Sequence, residues 1–232
     1  MTNLSTVTTK KANFKELLPD FKRFALKKSK LREASEAHKI LACVEYDGKY
    51  LNVTDAHRLL RVNAEYVDGL PEEAPFLYNV HTEETTADPV EVSKYPGTDR
   101  LFPDDSKATL TISEEALKAL RKAVNEVHQE TKEISNRVML FEYNEGVISI
   151  QAENDKAEAY SVEDVYAETD GEDEFKLYVN SEYLKNALLT ANKLRKLSGS
   201  SEIYVKFYGR LRPFEITDER AFIILVLPIM LF

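Results

Sequence analysis

The sequence predicts an α+β fold made of two domains, each with antiparallel sheets and with helices on one face. Its 232 residues and 43% hydrophobic content are enough for two cores of roughly 100 to 120 residues each. Apolar residues with helical spacing recur near 13–31, 113–127 and 180–194, and the apolar runs between these segments are typical of strands. We therefore expect one domain over residues 1–105 and a C-terminal domain over residues 106–232.

The first elements of the chain are expected to be a helix and a hairpin. Pro19 leaves two possibilities for the helix: it begins there, where proline fits the first position, or the proline kinks a longer helix. Two apolar runs, 39–46 and 49–54, follow on either side of Asp47-Gly48, which is a strong two-residue turn signal. These runs predict two adjacent antiparallel strands.

The middle of the chain, residues 68–106, is rich in Pro, Asp, Glu and Thr and gives weak signals. Short apolar runs predict strands near 76–80 and 90–93. Segment 77–94 is a poor candidate for a helix because it has no good apolar stripe.

The second half has clearer signals for two helices and several strands. Ser113 is expected to cap one helix, and either Asn180 or Ser181 caps the other. The expected strands cover 137–143, 147–152, 157–166, 175–179, 202–208 with a continuation to 217, and 221–231.

The composition argues against several classes of protein. The single cysteine, Cys43, excludes internal disulfides and Cys-cluster metal sites, and its apolar neighbours predict a buried side chain. The longest apolar run, residues 221–232, is about 12 residues long, whereas a bilayer span needs about 20. We therefore expect a soluble, cytoplasmic protein with no membrane partner.

The net charge of −9 argues against nucleic-acid binding only if the charge is treated as one number. The stretch from Lys10 to Arg32 contains nine basic residues and only two acids, Glu16 and Asp20. Acidic residues cluster elsewhere, for example in 168–174. This distribution predicts a basic face on an acidic body.

Asp55 and His57 allow two interpretations, a structural hydrogen-bonded pair or a catalytic dyad. Catalysis would require a nucleophile or metal ligands, and the remaining histidines, His38, His81 and His128, have no ligand-like spacing. We therefore expect no enzymatic activity, no catalytic residues, no metal site and no cofactor.

Four segments resemble, in order, signature segments of one family, the bacterial DNA sliding clamp or beta subunit of DNA polymerase III. They are Thr54–Leu59, Leu101–Asp104, Val179–Leu184 and Leu225–Leu231. The first lies on an expected strand from Tyr50 to Val62. Each segment is short, but together their order and spacing are specific.

This resemblance covers nearly the whole chain and implies the second and third domains of a three-domain protein with the DNA clamp fold. The first domain here is expected to be partly reduced, because the family's second helix has no good counterpart. Leu18-Pro19 matches the Leu-Pro that precedes the first helix in the family, which favours a helix that begins at Pro19.

The resemblance also implies a peptide-binding cleft where the two halves of the chain meet. Its residues would be Thr54, Ala56, His57, Arg58 and Leu59 on one wall, Pro103 at the junction, Tyr183, Leu211, Pro213, Leu225 and Leu227 opposite, and Pro228, Ile229 and Met230 at the lip. Such a groove suits a short peptide with a couple of large apolar side chains. Met230 stands where the family commonly has Arg, and Phe232 is an added residue, so we expect a different peptide preference.

Basic helices would line the central hole of the clamp. The implied DNA-facing residues are Lys22, Arg23 and Lys27, then Lys118, Arg121 and Lys122, then Lys185, Lys193 and Lys196. A lining of this kind attracts phosphates without reading bases, which permits sliding.

The implied function is that of a DNA sliding clamp, a processivity factor of DNA replication. It would encircle double-stranded DNA non-specifically and bind peptides of DNA polymerase and the clamp loader. Because the family's rings contain six domains, a two-domain chain predicts a head-to-tail homotrimer, and the missing domain favours a phage or mobile element as the source. The alternative is a clamp-derived adaptor or decoy that binds replication-protein peptides without encircling DNA.

Overall fold

Helices and strands alternate through residues 10–131, 137–153 and 159–230, which are the residues described by this computed structural model. The helices are α1 (Phe14–Phe24), α2 (Glu36–Lys39), α3 (Pro89–Val92), α4 (Glu114–Glu130) and α5 (Ser181–Ser198). The strands are β1 (Ala12–Asn13), β2 (Cys43–Tyr46), β3 (Tyr50–Thr54), β4 (Arg58–Asn63), β5 (Val67–Asp68), β6 (Phe76–Asn79), β7 (Thr85–Thr86), β8 (Ala108–Ser113), β9 (Val138–Asn144), β10 (Val147–Glu153), β11 (Ala159–Tyr166), β12 (Glu168–Gly171), β13 (Glu174–Asn180), β14 (Glu202–Phe207), β15 (Phe214–Thr217) and β16 (Phe222–Val226). The predicted α+β class is confirmed.

One sheet joins the two halves of the chain. Its ten strands lie in the order β12-β8-β14-β15-β16-β4-β3-β2-β6-β7. The junction is the antiparallel pair β4–β16, in which Phe222 lies opposite Val62 and Val226 opposite Arg58. A second sheet has the order β11-β10-β9-β13, and β1 pairs in parallel with β5. The last strand of the chain is therefore bonded directly to the strand that follows Thr54–His57.

The sheets contain an internal repeat. The order β4-β3-β2-β6 in the first half matches β11-β10-β9-β13 in the second, and each set follows a short strand and a helix. The second half then adds α5 and three more strands, β14 to β16. In the first half, the described residues between β6 and β8 form only β7, α3 and a 3₁₀ turn at Asp99–Leu101. The second half therefore contains two groups of strands, each with one helix, and the first half contains about one such group.

Three helices pack against these sheets. Helix α1 contacts β3 and β4, α5 contacts β13 to β16, and α4 contacts α5 together with β8, β10, β11 and β14. The rows of the ten-stranded sheet beneath α1 and α5 are apolar, for example Leu51, Val62 and Phe222 opposite one another. Burial of this face supplies the main driving force that holds the helices on the sheet.

Several local predictions are confirmed. Ser113 caps α4, where its side chain accepts a hydrogen bond from Ala116 N. Asn180, rather than Ser181, caps α5 and accepts from Glu182 N and Tyr183 N. The Asp47-Gly48 turn joins β2 and β3, and Gly48 has φ of 100°, a value that glycine adopts easily.

Other local predictions are wrong. The expected single strand from Tyr50 to Val62 is a hairpin, because the polar residues 55–57 form a turn between β3 and β4. The expected strand at 90–93 is the short helix α3, which Asp88 caps and Pro89 begins. Strand β12 was not expected, since 168–174 has the acidic composition of a loop.

The limits of several predicted strands differ from the structure. The expected strand 39–46 is helical as far as Ala42, and β2 begins at Cys43. β16 ends at Val226, and Pro228, which has no N–H to donate, follows soon after. The end of the expected strand 221–231 and the added Phe232 lie outside the described residues, as do positions 157 and 158 of the expected strand 157–166.

Pro19 lies inside α1 rather than at its start, so the interpretation that the family resemblance favoured is wrong. Leu17 and Leu18 before the proline and Phe21 and Phe24 after it are all buried, and their burial outweighs the loss of one backbone hydrogen bond. Pro19 itself is exposed.

We expect Pro19→Ala to stabilise the protein by about 1–3 kcal/mol, because it restores a helical N–H donor and removes a helix breaker. Urea denaturation would measure the change, with Lys22→Ala as a control on the same helix. A lower stability of Pro19→Ala would show that the proline ring is needed for packing.

Candidate functional site

The Thr54–Leu59 motif forms the turn between β3 and β4. The Thr54 hydroxyl donates to Arg58 O at 2.6 Å and accepts from Ala56 N at 3.1 Å. The Asp55 carboxylate accepts from His57 N at 3.1 Å and Arg58 N at 3.0 Å. Ala56 has φ of 74°, a left-handed conformation that β-branched and bulky side chains avoid. The Thr, Asp and small residue are therefore explained by the geometry of the turn, and Asp55 has a structural role.

Arg58 connects this turn to two helices. Its guanidinium is buried, and it lies 5.0 Å from the Phe24 ring at the end of α1 and 4.1 Å from the Tyr183 ring in the first turn of α5. It donates to Asp55 at 2.8 Å and to Arg23 O at 2.5 Å. Cation–π contacts and a buried ion pair thus fix the turn relative to both halves of the chain.

Thr54, Leu59 and Leu225 form a row across three strands, because Thr54 lies opposite Leu59 and Leu59 opposite Leu225. Side chains directly opposite each other in a sheet lie on the same face. All three residues are buried. These three predicted cleft residues therefore form a buried floor, not an open wall.

The chain beyond β16 borders the turn. Leu227 N donates to His57 O at 3.0 Å, and Ile229 N donates to Tyr178 O at 2.6 Å. Leu227 is 39% exposed and Met230 is 53% exposed, while Pro228 and Ile229 are half-buried. The segment predicted to form the lip therefore begins beside the turn and is partly exposed.

Two further predicted cleft residues, Leu211 and Pro213, lie in the loop between β14 and β15. Pro213 directly precedes β15, where Phe214 lies opposite Val226, so Pro213 is placed across from the start of the tail. Leu211 is 73% exposed.

Pro103 is placed by Arg61, a residue that the sequence analysis did not single out. Arg61 donates to Asn52 at 2.8 Å and to Thr98 at 2.7 Å, and its guanidinium lies 4.2 Å from the Phe102 ring. Arg61 lies two residues along β4 from Leu59, so both side chains are on one face of the sheet. This buried arginine holds the 98–103 segment next to the cleft floor.

Glu45, close to Arg61, is expected to make stability depend on pH. Burial raises the pKa of the Glu45 carboxyl to about 7, although the hydrogen bond from Asn52 lowers it in part. A carboxyl whose pKa is higher in the folded state than in the unfolded state stabilises the fold at pH values below the unfolded-state pKa. This stabilisation is lost as the pH rises from about 4.5 to 7.

We expect Glu45→Gln to be more stable than the parent by about 1–2 kcal/mol at pH 8, because solvent screens part of the Glu45 charge, and nearly equal at pH 4.5. Glutamine keeps an acceptor for Asn52 Nδ2, which lies 3.1 Å from the Glu45 carboxylate. Urea denaturation at several pH values would measure this difference, and an unchanged pH profile would contradict it.

An open cavity of about 740 Å³ lies beside the turn. One side is formed by Ala56, His57 and Tyr183, and the ring centroids of His57 and Tyr183 are 6.0 Å apart in a stacked arrangement. The other side is formed by residues of the segment 26–41. Burial and the nearby Asp55 carboxylate raise the pKa of Tyr183, so its hydroxyl stays protonated at neutral pH. The open part of the site is more polar than the predicted apolar cleft.

A second cavity of about 390 Å³ lies between α4 and α5 and is basic. Lys118, Arg121, Lys122 and Lys185 line it. Lys122 has a loose 3.7 Å contact with Glu126, and the other three have no ion pair with the described residues. Lys196, on the last turn of α5, is also exposed and has none among those residues. These cations are available to a polyanionic ligand.

The other predicted DNA-facing residues are already paired within the chain. Lys193 and Arg23 both contact the buried Asp20 at 2.6 Å. Lys27 lies beyond the end of α1 and contacts Glu182 at 2.7 Å, and Lys22 lies 3.5 Å from Glu83. The single basic surface expected from three helices is therefore concentrated on α4 and α5.

Two further properties concern metal ions and membranes. The described residues contain no group of three or more His, Cys, Asp or Glu side chains placed to hold a metal ion. In the same part of the chain, no helix has the length and apolar character needed to cross a bilayer.

Solved structures share this fold. The DNA polymerase sliding clamp from Bacillus subtilis has a TM-score of 0.68 at 20% identity, covering 94% of this chain and 63% of that one. The C. crescentus beta sliding clamp has a TM-score of 0.68 at 16% identity, covering 100% and 67%. The DNA polymerase III beta chain from Streptococcus pneumoniae has a TM-score of 0.66 at 18% identity, covering 93% and 63%. The fold is that of a DNA sliding clamp.

The model of the family described as DNA polymerase III beta subunit, C-terminal domain, matches residues 99–228. This match covers more than half of the 232 residues, so the chain belongs to the DNA polymerase III beta subunit family. It spans 63% of the length of the Bacillus subtilis clamp. No curated protein sequence matches it significantly.

Proposed function

We propose that this chain is a DNA sliding clamp that encircles duplex DNA and tethers a DNA polymerase through a peptide-binding cleft. The observation that carries this proposal is the β4–β16 pairing, which joins the Thr54–Leu59 turn and the C-terminal tail at one site. The unpaired cations of α4 and α5 supply a separate surface for DNA. The proposed role needs no catalytic residue, metal or cofactor, and replication places the protein in the cytoplasm.

The proposed DNA contact is electrostatic and independent of sequence. Long lysine and arginine side chains on a helix surface contact phosphates, which repeat along any duplex. They do not enter a groove to read base edges, so every register on the DNA has nearly the same energy. The protein can then slide, and closure of a ring around the duplex prevents dissociation.

The proposed partner at the cleft is a short peptide of a DNA polymerase or clamp loader, with one or two large apolar side chains. Leu227→Asp is expected to weaken such a peptide at least about 10-fold, because it places a charge beside an apolar anchor. Fluorescence anisotropy with a labelled peptide carrying Leu and Phe anchors would measure the effect. Val90→Asp is a matched control, because Val90 is 64% exposed and is not one of the predicted cleft residues. Equal affinity of Leu227→Asp and the parent would contradict the cleft.

A head-to-tail homotrimer is proposed for the ring, following the six-domain rings that the family resemblance implies. Light scattering would give three times the chain mass of 26.5 kDa. Retention on DNA tests function directly: after loading, a closed ring stays on a circular duplex and is lost when one cut makes that duplex linear. Equal loss from circular and linear DNA would contradict encirclement.

The adaptor or decoy is the second candidate, and the internal repeat favours it. The first half has no described counterpart of α5 and β14–β16, and β16 is the strand that joins the halves within this chain. A chain without the equivalent strands has less sheet edge with which to close a ring. Peptide binding by a protein that stays monomeric at all concentrations would support the adaptor.

A further inference from the structure

A strap formed by residues 88–103 lies on the face of the ten-stranded sheet that α1 does not cover. Asn52 on β3 and Arg61 on β4 lie opposite each other on this face, because they alternate with the apolar residues beneath α1. The Tyr95 hydroxyl donates to Asn52 O at 3.2 Å, and Arg61 donates to Thr98 Oγ1 at 2.7 Å. These bonds attach the strap to the sheet at two points.

Glu45 on β2 lies next to this attachment, on the same face of the sheet. It is opposite Asn52 in β3 and opposite Leu77 in β6, so the three side chains form one row. Leu77 packs in a small apolar cluster with Val92 and Tyr95 of the strap. The Glu45 carboxyl is therefore half-buried beside an apolar cover, and that cover belongs to the strap.

The surroundings of Glu45 disfavour a negative charge. The titratable and charged groups that face this site from the neighbouring strands, the turn and the strap are Asp47, Arg61, Asp99, Tyr95 and Cys43. The cation among them, Arg61, already pairs with Asp99 at 2.7 Å. Asn52 Nδ2 donates to Glu45 at 3.1 Å and to Asp47 at 3.2 Å, so ionisation of Glu45 places two negative charges around one amide group.

We propose that the strap is a pH-sensitive cover, which is closed when Glu45 is neutral and opens when Glu45 is ionised. In the closed state an ionised carboxylate lies beside Asp47 and an apolar cluster, whereas in the open state water hydrates it. Burial raises the pKa of Glu45 to about 7 in the closed state, from 4.5 for an exposed carboxyl. Opening therefore becomes more favourable as the pH rises from about 4.5 to 7 and levels off above that range. This inference goes beyond the proposed clamp function and does not rest on it.

Cys43 provides a direct measure of strap opening. It is the single cysteine of the chain, and it lies two residues before Glu45 on β2, on the same face of the sheet. It is half-buried and packs against the cluster that contains Val92 and Tyr95. Burial raises the pKa of the thiol to about 11, and the thiolate is the reactive form. Opening of the strap is therefore expected to speed the reaction of Cys43 with a disulfide reagent.

The test compares the rates at which dithiodipyridine labels Cys43 in the full parent chain and in Glu45→Gln. Glutamine keeps the neutral form at every pH, and the ratio of the two rates removes the pH dependence of the thiol and the reagent. We expect similar rates at about pH 4.5 and about 5-fold faster labelling of the parent at about pH 8, since solvent screens part of the charge. A ratio near one at both pH values would overturn the inference.

Two further variants show which motion exposes the thiol. Tyr95→Phe removes the bond from the strap to Asn52 O and is expected to label about 3-fold faster at both pH values. Unchanged labelling of this variant would show that the strap does not cover Cys43. Asp20→Ala removes a buried carboxylate on α1, outside the strap, so its labelling rate should match that of the parent. Faster labelling in proportion to its lost stability would show that exposure of the thiol requires global unfolding, and either result would overturn the inference.

Discussion

The triple variant Lys118→Glu, Arg121→Glu, Lys122→Glu is expected to bind duplex DNA about 100-fold more weakly than the parent at about 0.1 M salt. The three residues line the groove between α4 and α5 together with Lys185. Each neutralised phosphate releases counterions, and losing three such contacts removes roughly 2 to 3 powers of ten in affinity at this salt concentration. The slope of log affinity against log salt should become about three units less steep.

A control variant separates this local effect from the change in net charge. Lys28→Glu, Lys39→Glu and Lys94→Glu together alter the charge equally, and all three residues are exposed and outside the α4–α5 groove. Filter binding at several salt concentrations, with the peptide assay in parallel, would compare the variants. Peptide affinity should be unchanged in the triple variant. If the control loses as much DNA affinity, the groove is not the DNA surface.

Much of the second half could be predicted from the sequence because its signals are local. Ser113 and Asn180 cap helices with backbone bonds made within three residues, and apolar spacing alone defines the buried faces of α4 and α5. The segments that resemble the family's signatures predicted that the Thr54–Leu59 turn and the C-terminal tail lie at one site. The β4–β16 register agrees with this prediction. Signals of this kind do not depend on which distant residues meet.

The remaining features depend on contacts between distant residues. Lys193 has the spacing of a solvent-facing helical lysine, but its partner Asp20 is 173 residues away. Lys30 and Arg137 line one cavity only because the 26–41 loop folds over the turn. One signal was present in the sequence: Asp20 lies three residues after Leu17 and next to Phe21, so it is an acid on the apolar face of α1. A buried acid in that position requires a cationic partner.

Asp20 forms the polar connection between the two halves of the helix layer. It is 1% exposed, and its carboxylate receives hydrogen bonds from Arg23 at 2.6 Å, Thr190 at 3.1 Å and Lys193 at 2.6 Å. Lys193 also donates to Glu16 O at 2.7 Å. These bonds fix α1 against α5, which places the end of α1 beside Arg58 and the cleft turn.

Asp20→Ala is expected to destabilise the protein by about 2–4 kcal/mol. Removing one partner of a buried ionic network leaves the others without compensation, but Lys193 and Arg23 can partly return to solvent, which limits the cost. Asp20→Asn should cost less, about 1–2 kcal/mol, because its amide can still accept from the Thr190 hydroxyl. Chemical denaturation of both variants would give these values.

A double-mutant cycle with Lys193→Met would isolate the interaction between the two halves. The coupling energy should be about 1–2 kcal/mol, since the pair is buried at the carboxylate and half-exposed at the amine. Because Arg58 lies against the end of α1, Asp20→Ala should also weaken peptide binding several-fold without altering a cleft residue. Additive effects in the cycle, together with an unchanged peptide affinity, would contradict this role of the network. Packing of the apolar face of α1 alone would then align the two halves.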